Sequence, residues 1–569
     1  MQQPDFPPTG SALPPREAIL PSADEIRPLA TLRANLRRID GWGDLAWKEV
    51  LGAWRLPSGT LLLTLPEFDA DQHDDERLLF LVIDHALGAA DPVTTADWVL
   101  RHTWATLLAA PAIRAWTLSP GSAVRATTAC WFDDGRLVLR LHVRLPYAGM
   151  CIDARRFGRF VRQVERFAAD LAERQRRPEL ERHRRSLALT RALRAALPEL
   201  GLVAFLADGA VLPRNRDGGP AERAIPLRTP IALRTEIDLG RCGKVRGWGI
   251  RVGVTAIAGA PYHGKSTVLQ ALQAGIDDHP PGDGRELVVT EPSALLVQAE
   301  DGRRIVDQDL SAFFHALPGA DSTHFTTERA SGATSMAASV LQGVAAGCRL
   351  LLVDEDTAAS NFLLIDPTMR KLLGASLDGT RTLLEALPAL AAQGVSTVLV
   401  AGSSGHSLAV AGRVVQMDHW QPHEVTARAR RLVGRSANDL RRLMVPARLL
   451  TADPDVVFGP RHFAPLDLRE PERPRIKLPV PNGANGWTTL DLRRCGWVLD
   501  EALVAGALLA AGWCCRLGTR DLAALHGAYA DLLTRGPTAI DPFHSRMLTA
   551  PPWQLVVTVL ERLGLAGSR

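Results

Sequence analysis

The sequence predicts an α/β core flanked by an N-terminal α+β domain and a mostly helical C-terminal domain. Three stretches carry that expectation. Residues 252–272, VGVTAIAGAPYHGKSTVLQAL, run from an apolar, β-branched segment through a glycine loop into a helix-forming segment. Residues 348–362, CRLLLVDEDTAASNF, contain a second short apolar strand that ends in two adjacent acids. Residues 136–146, RLVLRLHVRLP, alternate with period two, as a half-buried strand does.

The chain has 569 residues and an apolar fraction of 46%, enough for several domains with their own cores. No apolar run reaches the ~18 residues that a membrane span needs, so no membrane partner is expected. Residues 1–28 are proline-dense and lack a basic segment followed by an apolar one. They read as a disordered tail rather than a secretory signal. The seven cysteines form no CxxC pair, which suits a reducing cytoplasm and argues against a disulfide framework or a zinc site. Net charge is only +4, but it is unevenly placed. Residues 155–194 hold 13 Arg against 5 acids, and residues 425–448 hold 7 Arg against Asp439. These are either solvated helix faces or contacts for an anionic partner.

Residues 29–200 read as the N-terminal α+β domain. AVRATTACW, 123–131, is joined to the alternating strand 136–146 by an Asp-Asp-Gly turn, a hairpin. Leu137, Leu139, Leu141, Val143 and Leu145 form its buried face, and Arg140, His142 and Arg144 point the other way. Arg140 and Arg144 are the candidate nucleic-acid contacts. The Arg-rich segment that follows reads as one or two helices, broken near Pro178.

Residues 201–435 read as the nucleotide-binding core. Of the 66 Lys and Arg residues only five are Lys, and one of them, Lys265, closes Gly259-x-x-x-x-Gly264-Lys265-Ser266. Gly259, Ala260, Pro261, Tyr262, His263 and Gly264 form a loop whose backbone N–H groups can turn toward phosphates. The helix starting at Lys265, Ser266 and Thr267 adds its positive end. Lys265 is assigned to the β- and γ-phosphates of ATP and Ser266 to Mg²⁺. In the second apolar strand, Asp354 is placed to hold the Mg²⁺ shell, and Glu355 to orient and deprotonate the attacking water. Between the two, ERASGATSMAASV, 328–340, places Ser331, Gly332 and Ala333 at the start of an amphipathic helix that leads into that strand. The phosphate loop already encloses one side of a nucleotide. A second anion-binding helix end makes most sense as a cap on the ATP of a partner subunit.

This order of motifs resembles the ABC-class ATPases, with ASGAT, 330–334, where those proteins carry their signature. More narrowly, GAPYHGKSTVLQAL, HPPGDGRELVVT, AEDGRRI, TTERASGATS and LLLVDEDTAASNF resemble the predicted soluble ABC-class ATPases of bacteria, archaea and some protists. The resemblance is specific over about 200–430. It implies an ABC-type P-loop NTPase core, Mg-ATP at a site shared by a homodimer, a cytoplasmic location and, for part of the family, RNA as a partner. Gln298, after the apolar ALLV segment, is the candidate for the Q-loop position near ATP and metal, with Glu300 and Asp301 as alternatives. The PGDGRE loop, 281–286, is expected to line the nucleotide site or a dimer contact. The pattern departs in two places. Gly402 stands where such domains usually carry a His, with His406 four residues on, and no aromatic residue upstream is placed to stack on adenine.

Residues 436–569 begin with a Pro/Arg-rich linker, REPERPRIKLPVPNG, and end in helices such as LDEALVAGALLAAGWCC, with no catalytic constellation. The resulting expectation is ATP hydrolysis coupled to conformational change on a nucleic acid, RNA foremost. The alternatives are a non-hydrolysing, ATP-gated interaction module and a P-loop small-molecule kinase.

Overall fold

The computed structural model describes residues 22–64, 76–83, 91–173, 178–433 (save 316, 318 and 378), 475–479, 487–492, 495, 497, 500–517, 522–541 and 547–562. Residues 1–21, and residues 434–448 of the second Arg-rich segment, lie outside the described residues.

The N-terminal unit starts earlier than expected. β1 (Ile26–Pro28) pairs in parallel with β2 (Gly52–Leu56), so these three residues belong to a sheet and not to a tail. α1 (Leu29–Ile39) lies between them. β3 (Gly59–Thr64), β4 (Glu76–Ile83), α2 (Pro92–Ala105), β5 (Ala115–Trp116), β6 (Cys130–Asp133) and β7 (Arg136–Arg144) follow. The sheet order is β1-β2-β3-β4-β7-β5, with β6 also on β7. After a short ladder of β8 (Tyr147–Ala148) and β9 (Cys151–Ile152) come α3 (Ala154–Glu173) and α4 (Pro178–Ala196). α3 begins where Asp153 accepts the Arg156 N–H at 2.9 Å, an N-terminal cap. It buries Phe157, Phe160, Val161, Val164, Phe167 and Leu171 at three- and four-residue spacing, and the stripe packs on the sheet face made by Leu137, Leu139, Leu141 and Val143. Arg155, Arg156, Arg159, Arg162 and Arg166 are left on the exposed side.

A hairpin forms at the expected turn, but its first strand is β6, so of 123–131 only Cys130 and Trp131 lie in it, and its second face is not a cationic surface. Arg140 is 1% exposed. β7 is an interior strand, paired with β4 on one side and with β5 and β6 on the other. Its second face carries a further buried apolar cluster, Leu78, Phe80, Trp131 and Val138, contributed by β4, β6 and β7. Arg140 lies opposite Phe80 in register, so it cannot contact a nucleic acid. His142 stacks on Trp116 with centroids 5.4 Å apart, and Arg144 is half-buried. Alternation identifies two faces but does not say what covers the second one.

α4 begins at proline, whose fixed φ suits a first helical turn. Its Arg side chains are not a solvated face throughout. Arg194 donates to the carbonyls of Gly275 (2.8 Å) and Thr290 (2.7 Å), and both Arg191 (2.7 Å) and Arg194 (2.9 Å) reach the Asp278 carboxylate. α4 is thereby held against the next unit.

That unit has two sheets. β10 (Leu202–Ala207), β11 (Arg234–Asp238), β12 (Lys244–Arg251) and β14 (Val288–Thr290) form an antiparallel sheet in the order β11-β12-β10-β14. β13 (Val254–Ala258) leads into α5 (Lys265–Ala274), and β15 (Leu295–Val297) follows. After the small ladder of β16 (Ile305–Gln308) and β17 (Phe325–Thr327), α6 (Gly332–Ala345) runs into β18 (Leu350–Asp354). α7 (Ser360–Leu363), α8 (Pro367–Leu373) and α9 (Leu383–Ala392) precede β19 (Ser396–Ala401), and α10 (His406–Val410) precedes β20 (Arg413–Asp418), β21 (Gln421–Glu424) and α11 (Thr426–Val433). The second sheet has the order β15-β18-β19-β13-β20-β21, parallel except for β21. Every residue of β18 and β19 is buried, the pattern of strands covered on both faces.

In the C-terminal part, Arg475–Pro479, expected as linker, instead form β22, which pairs with β23 (Trp487–Asp491). α12 (Glu501–Arg516), α13 (Leu522–Thr534) and α14 (Trp553–Arg562) share an apolar core. Residues 124–128 join all three parts: Val124 bridges to Asp278, and Thr127 bridges to Thr549. Among the described residues no helix is long and apolar enough to cross a membrane.

Candidate active site

The strand–loop–helix expected at 252–272 is β13, the loop 259–264 and α5. Gly259 has φ +152°, and a β-carbon there would lie 2.5 Å from the Met417 carbonyl oxygen, so no larger residue fits. Gly264 caps α5 in the left-handed region. Tyr262 is also left-handed, at φ +67°, and 95% exposed. Lys265 is buried, and its ammonium donates to the carbonyls of Gly259 (2.6 Å) and Ala260 (3.0 Å). The side chain thus folds back over the mouth of its own loop.

Asp354 ends β18, two strands away from β13, and is 8% exposed. The Ser266 hydroxyl donates to its Oδ2 at 3.1 Å. Two ligands at about 2.1 Å from an octahedral Mg²⁺ and at right angles lie about 3 Å apart, so this pair fits a shared metal. Gln298 directly follows β15, whose Val297 pairs with Val353, so it stands at the same sheet edge beside Asp354.

Glu355 is held from the position where a His was expected. Its Oε2 accepts the N–H groups of Gly402 (2.6 Å) and Ser403 (3.1 Å), and its Oε1 accepts the Ser403 hydroxyl (2.6 Å). Partial burial raises its pKa. The Ser403 hydroxyl and the amides of Ser403, Gly402 and Ser404 outweigh that and keep the carboxyl below the ordinary range. His406 is exposed, with its Nδ1 3.3 Å from the Ser404 hydroxyl. Sequence reasoning missed Ser403. The Ser-Ser pair after β19 was its only signal.

Ser331 caps α6 by accepting the Thr334 N–H at 3.2 Å and is itself exposed. Gly332 is wedged in: a β-carbon would lie 3.1 Å from Asp301 Oδ1, 3.2 Å from Ala299 Cβ and 3.4 Å from Ala359 Cβ. Ala333 is buried behind it.

A second group of residues, not singled out in the sequence, adjoins the loop. The Asp418–Gln421 turn between β20 and β21 carries His419 and Trp420, and the His419 N–H donates to His263 Nδ1 at 3.0 Å. His263, Asp418 and His419 bring ligand-type atoms within 4.8 Å of one another, and hydrogen bonds among them account for the arrangement. Trp420 borders a cavity of about 300 Å³ whose other walls include Thr267 and Ile225. The PGDGRE loop stands behind that cavity. Arg285 donates to the Leu212 carbonyl at 2.9 Å, and Asp283 pairs with Arg214 at 2.5 Å. Burial and the neighbouring Arg214 charge push Arg285 down to about 10.

An uncharacterized protein of Methanocaldococcus jannaschii, MJ1628, is 36% identical over 208 residues, which is 34% of this chain and 44% of that protein. The chain therefore spans less than half the length of that relative. Among solved structures, the ADP conformation of MJ1267, an ATP-binding cassette of an ABC transporter, is 13% identical with a TM-score of 0.23, covering 33% of this chain and 87% of that one. cbiO1 from Clostridium perfringens, part of the ABC transporter complex cbiONQ, is 16% identical with a TM-score of 0.25, covering 39% and 87%. The family model for the ABC_ATPase P-loop domain matches residues 176–447, a span that takes in α4 as well as the core expected at 201–435. Over residues 176–447 the chain therefore carries the P-loop domain of the ABC_ATPase family.

Proposed function

We propose that the chain is a Mg²⁺-dependent ATPase whose site is completed by the Ser331–Gly332–Ala333 helix end of a second copy. The observation that carries the reading is the 3.1 Å contact between Ser266 and Asp354, with Glu355 next in sequence and fixed by Gly402 and Ser403. Lys265 and the N–H groups of the loop would bind phosphates, and Ser266, Asp354 and Gln298 are the residues that would hold the metal. Mg²⁺ supplies charge neutralisation on the phosphoryl oxygens. Glu355 orients the attacking water. The hydrogen bonds that lower its pKa also fix the carboxylate in place, which suits it to positioning that water. That same tethering supports, as a second reading, an ATP-gated module with little hydrolysis. Ser331 is exposed, which leaves it accessible to a partner's nucleotide. The seven cysteines include no CxxC pair, a pattern that supports action in the cytoplasm.

Complementation tests the shared site. Lys265→Ala and Ser331→Arg should each abolish turnover. Mixed after subunit exchange, they rebuild one intact site per hybrid dimer and should recover part of the wild-type rate. Confirmed exchange with no recovery refutes sharing. Wild-type protein that binds Mg-ATP without turnover selects the gated module.

A nucleic-acid partner, RNA foremost, is proposed for the α3 face and no longer for the hairpin. Arg155, Arg156, Arg159, Arg162 and Arg166 share one exposed helix side backed by a rigid core. Arg also stacks on unpaired bases as well as binding phosphate.

A further inference from the structure

We propose that Trp420 is the platform on which the nucleotide base stacks, taking the place of the upstream aromatic residue that the sequence lacks. This rests on the ATP-binding reading of the phosphate loop. Strand order sets the direction of the nucleotide. In β18-β19-β13-β20-β21 the loop after β13 has Asp354 and Glu355 on one side and Trp420 on the other. Lys265, Ser266 and Asp354 attend the terminal phosphates and metal. The nucleoside end therefore points the opposite way, across the first turn of α5 toward β20 and β21.

That is where the cavity of about 300 Å³ opens, with Gly264, Thr267 and Val268 on the phosphate side. Trp420 and Ile225 stand on its rim, 47% and 48% exposed, large apolar groups facing solvent beside a polar loop. The two sides are fixed relative to each other. Gln421 accepts the Arg228 N–H at 2.8 Å and donates to the Pro226 carbonyl at 3.2 Å, pinning the segment that carries Ile225 and Leu227 to the turn that carries Trp420. A rigid apolar slot with one aromatic wall suits a planar base better than a flexible side chain.

The backbone at Trp420 points the same way. The two-residue turn has φ +46° at His419 and +63° at Trp420. Such turns favour Asn-Gly, because left-handed backbone strains residues with a β-carbon. Here both positions hold large rings. A strained backbone that displays an exposed aromatic ring beside a ligand loop is the pattern of a functional residue. Trp420 also approaches the loop closely: a β-carbon on Gly264 would be 3.0 Å from its Cδ1.

The test uses Trp420→Gly in the full chain, since glycine accepts φ +63° without strain and the fold should be retained. The melting temperature should stay level or rise. Mg-ATP affinity, measured by calorimetry, should fall between about fivefold and about a hundredfold, the usual worth of base–aromatic stacking. Affinity for magnesium tripolyphosphate, which has no base, should be unchanged, and Trp420→Phe should keep most of the ATP affinity. Unchanged ATP affinity in Trp420→Gly overturns the proposal. So does an equal loss for ATP and tripolyphosphate, which would make Trp420 a support for the loop. Wild-type protein that binds neither ligand refutes the phosphate-loop reading itself, and Lys265→Ala, which should weaken both, marks that separate failure.

Discussion

Arg562→Met removes the last side chain of α14 from the core it clamps. Arg562 and Glu300 are 7% and 8% exposed, and the guanidinium makes a two-pronged contact, 2.5 Å to Oε1 and 3.3 Å to Oε2. Removing one member of a buried pair leaves a buried charge, a loss of about 3–5 kcal/mol. The low end applies here, because Arg303 remains 3.6 Å from Glu300 and the Ser339 hydroxyl 3.3 Å away. A loss of about 3 kcal/mol multiplies the opening equilibrium roughly a hundredfold. Hydrogen exchange of α14 amides reads that ratio directly and avoids a single unfolding free energy for a multidomain chain. The double variant Glu300→Gln with Arg562→Met removes the stranded carboxylate but leaves buried Arg303 on neutral acceptors such as the Ser335 carbonyl and the Ser339 hydroxyl, so it should recover part of the loss. Exchange in Arg562→Met within about threefold of wild type, or a double variant as open as the single one, would refute the reasoning.

Two further outcomes follow from the site and from α3. Ser403→Ala removes the hydroxyl that most lowers the Glu355 pKa. A carboxylate serves as base only above its pKa, so the wild-type acid limb of kcat should lie below the ordinary Glu range and should move to higher pH in the variant. An unmoved limb separates Glu355 from proton transfer. The triple variant Arg159→Glu, Arg162→Glu, Arg166→Glu should weaken single-stranded RNA binding, with basal ATP turnover intact. For each phosphate that the variant no longer neutralises, the slope of log affinity against log salt should flatten by about 0.7. An unchanged slope in a filter-binding titration leaves α3 as a solvated face.

What the sequence revealed, and what it hid, divides by range. The loop 259–266 and the acids 354–355 are local patterns whose residue types are dictated by local geometry, as the Gly259 approach to Met417 illustrates. The break at Pro178 and the hairpin turn at 133–135 are local as well. Arg140 was misread because its environment comes from Phe80 on β4, a strand whose pairing with β7 no local pattern specifies. Ser403 and Trp420 were missed for a related reason. Each does what a familiar residue type does elsewhere in the chain, and only the parallel pairing of β13 with β19 and β20 brings them to the loop. The Glu300–Arg562 pair spans 262 positions, beyond any periodicity argument.

The flanking domains grip the two helices that matter most to a shared site, and they grip different ones. α4 and residues 124–125 of the N-terminal unit hold the C-terminal end of α5, through Arg194 on the Gly275 carbonyl and Arg125 on Asp277 at 2.8 Å. α14 holds α6 through Glu561 on Gln342 at 3.0 Å and, by way of Glu300, Ser339 at 3.3 Å. α5 carries the phosphate loop, and α6 carries the Ser331 cap. If one copy's α5 and its partner's α6 close on one ATP, the N-terminal unit of one subunit and the C-terminal helices of the other are drawn together. Within each chain the two grips are joined by residues 124–128, which bridge to Asp278 and Thr549. On the proposed shared-site reading, closure at the nucleotide would load that short segment, which is tied by backbone pairing to both sides, and would pass motion on to the sheet that supports the basic face of α3.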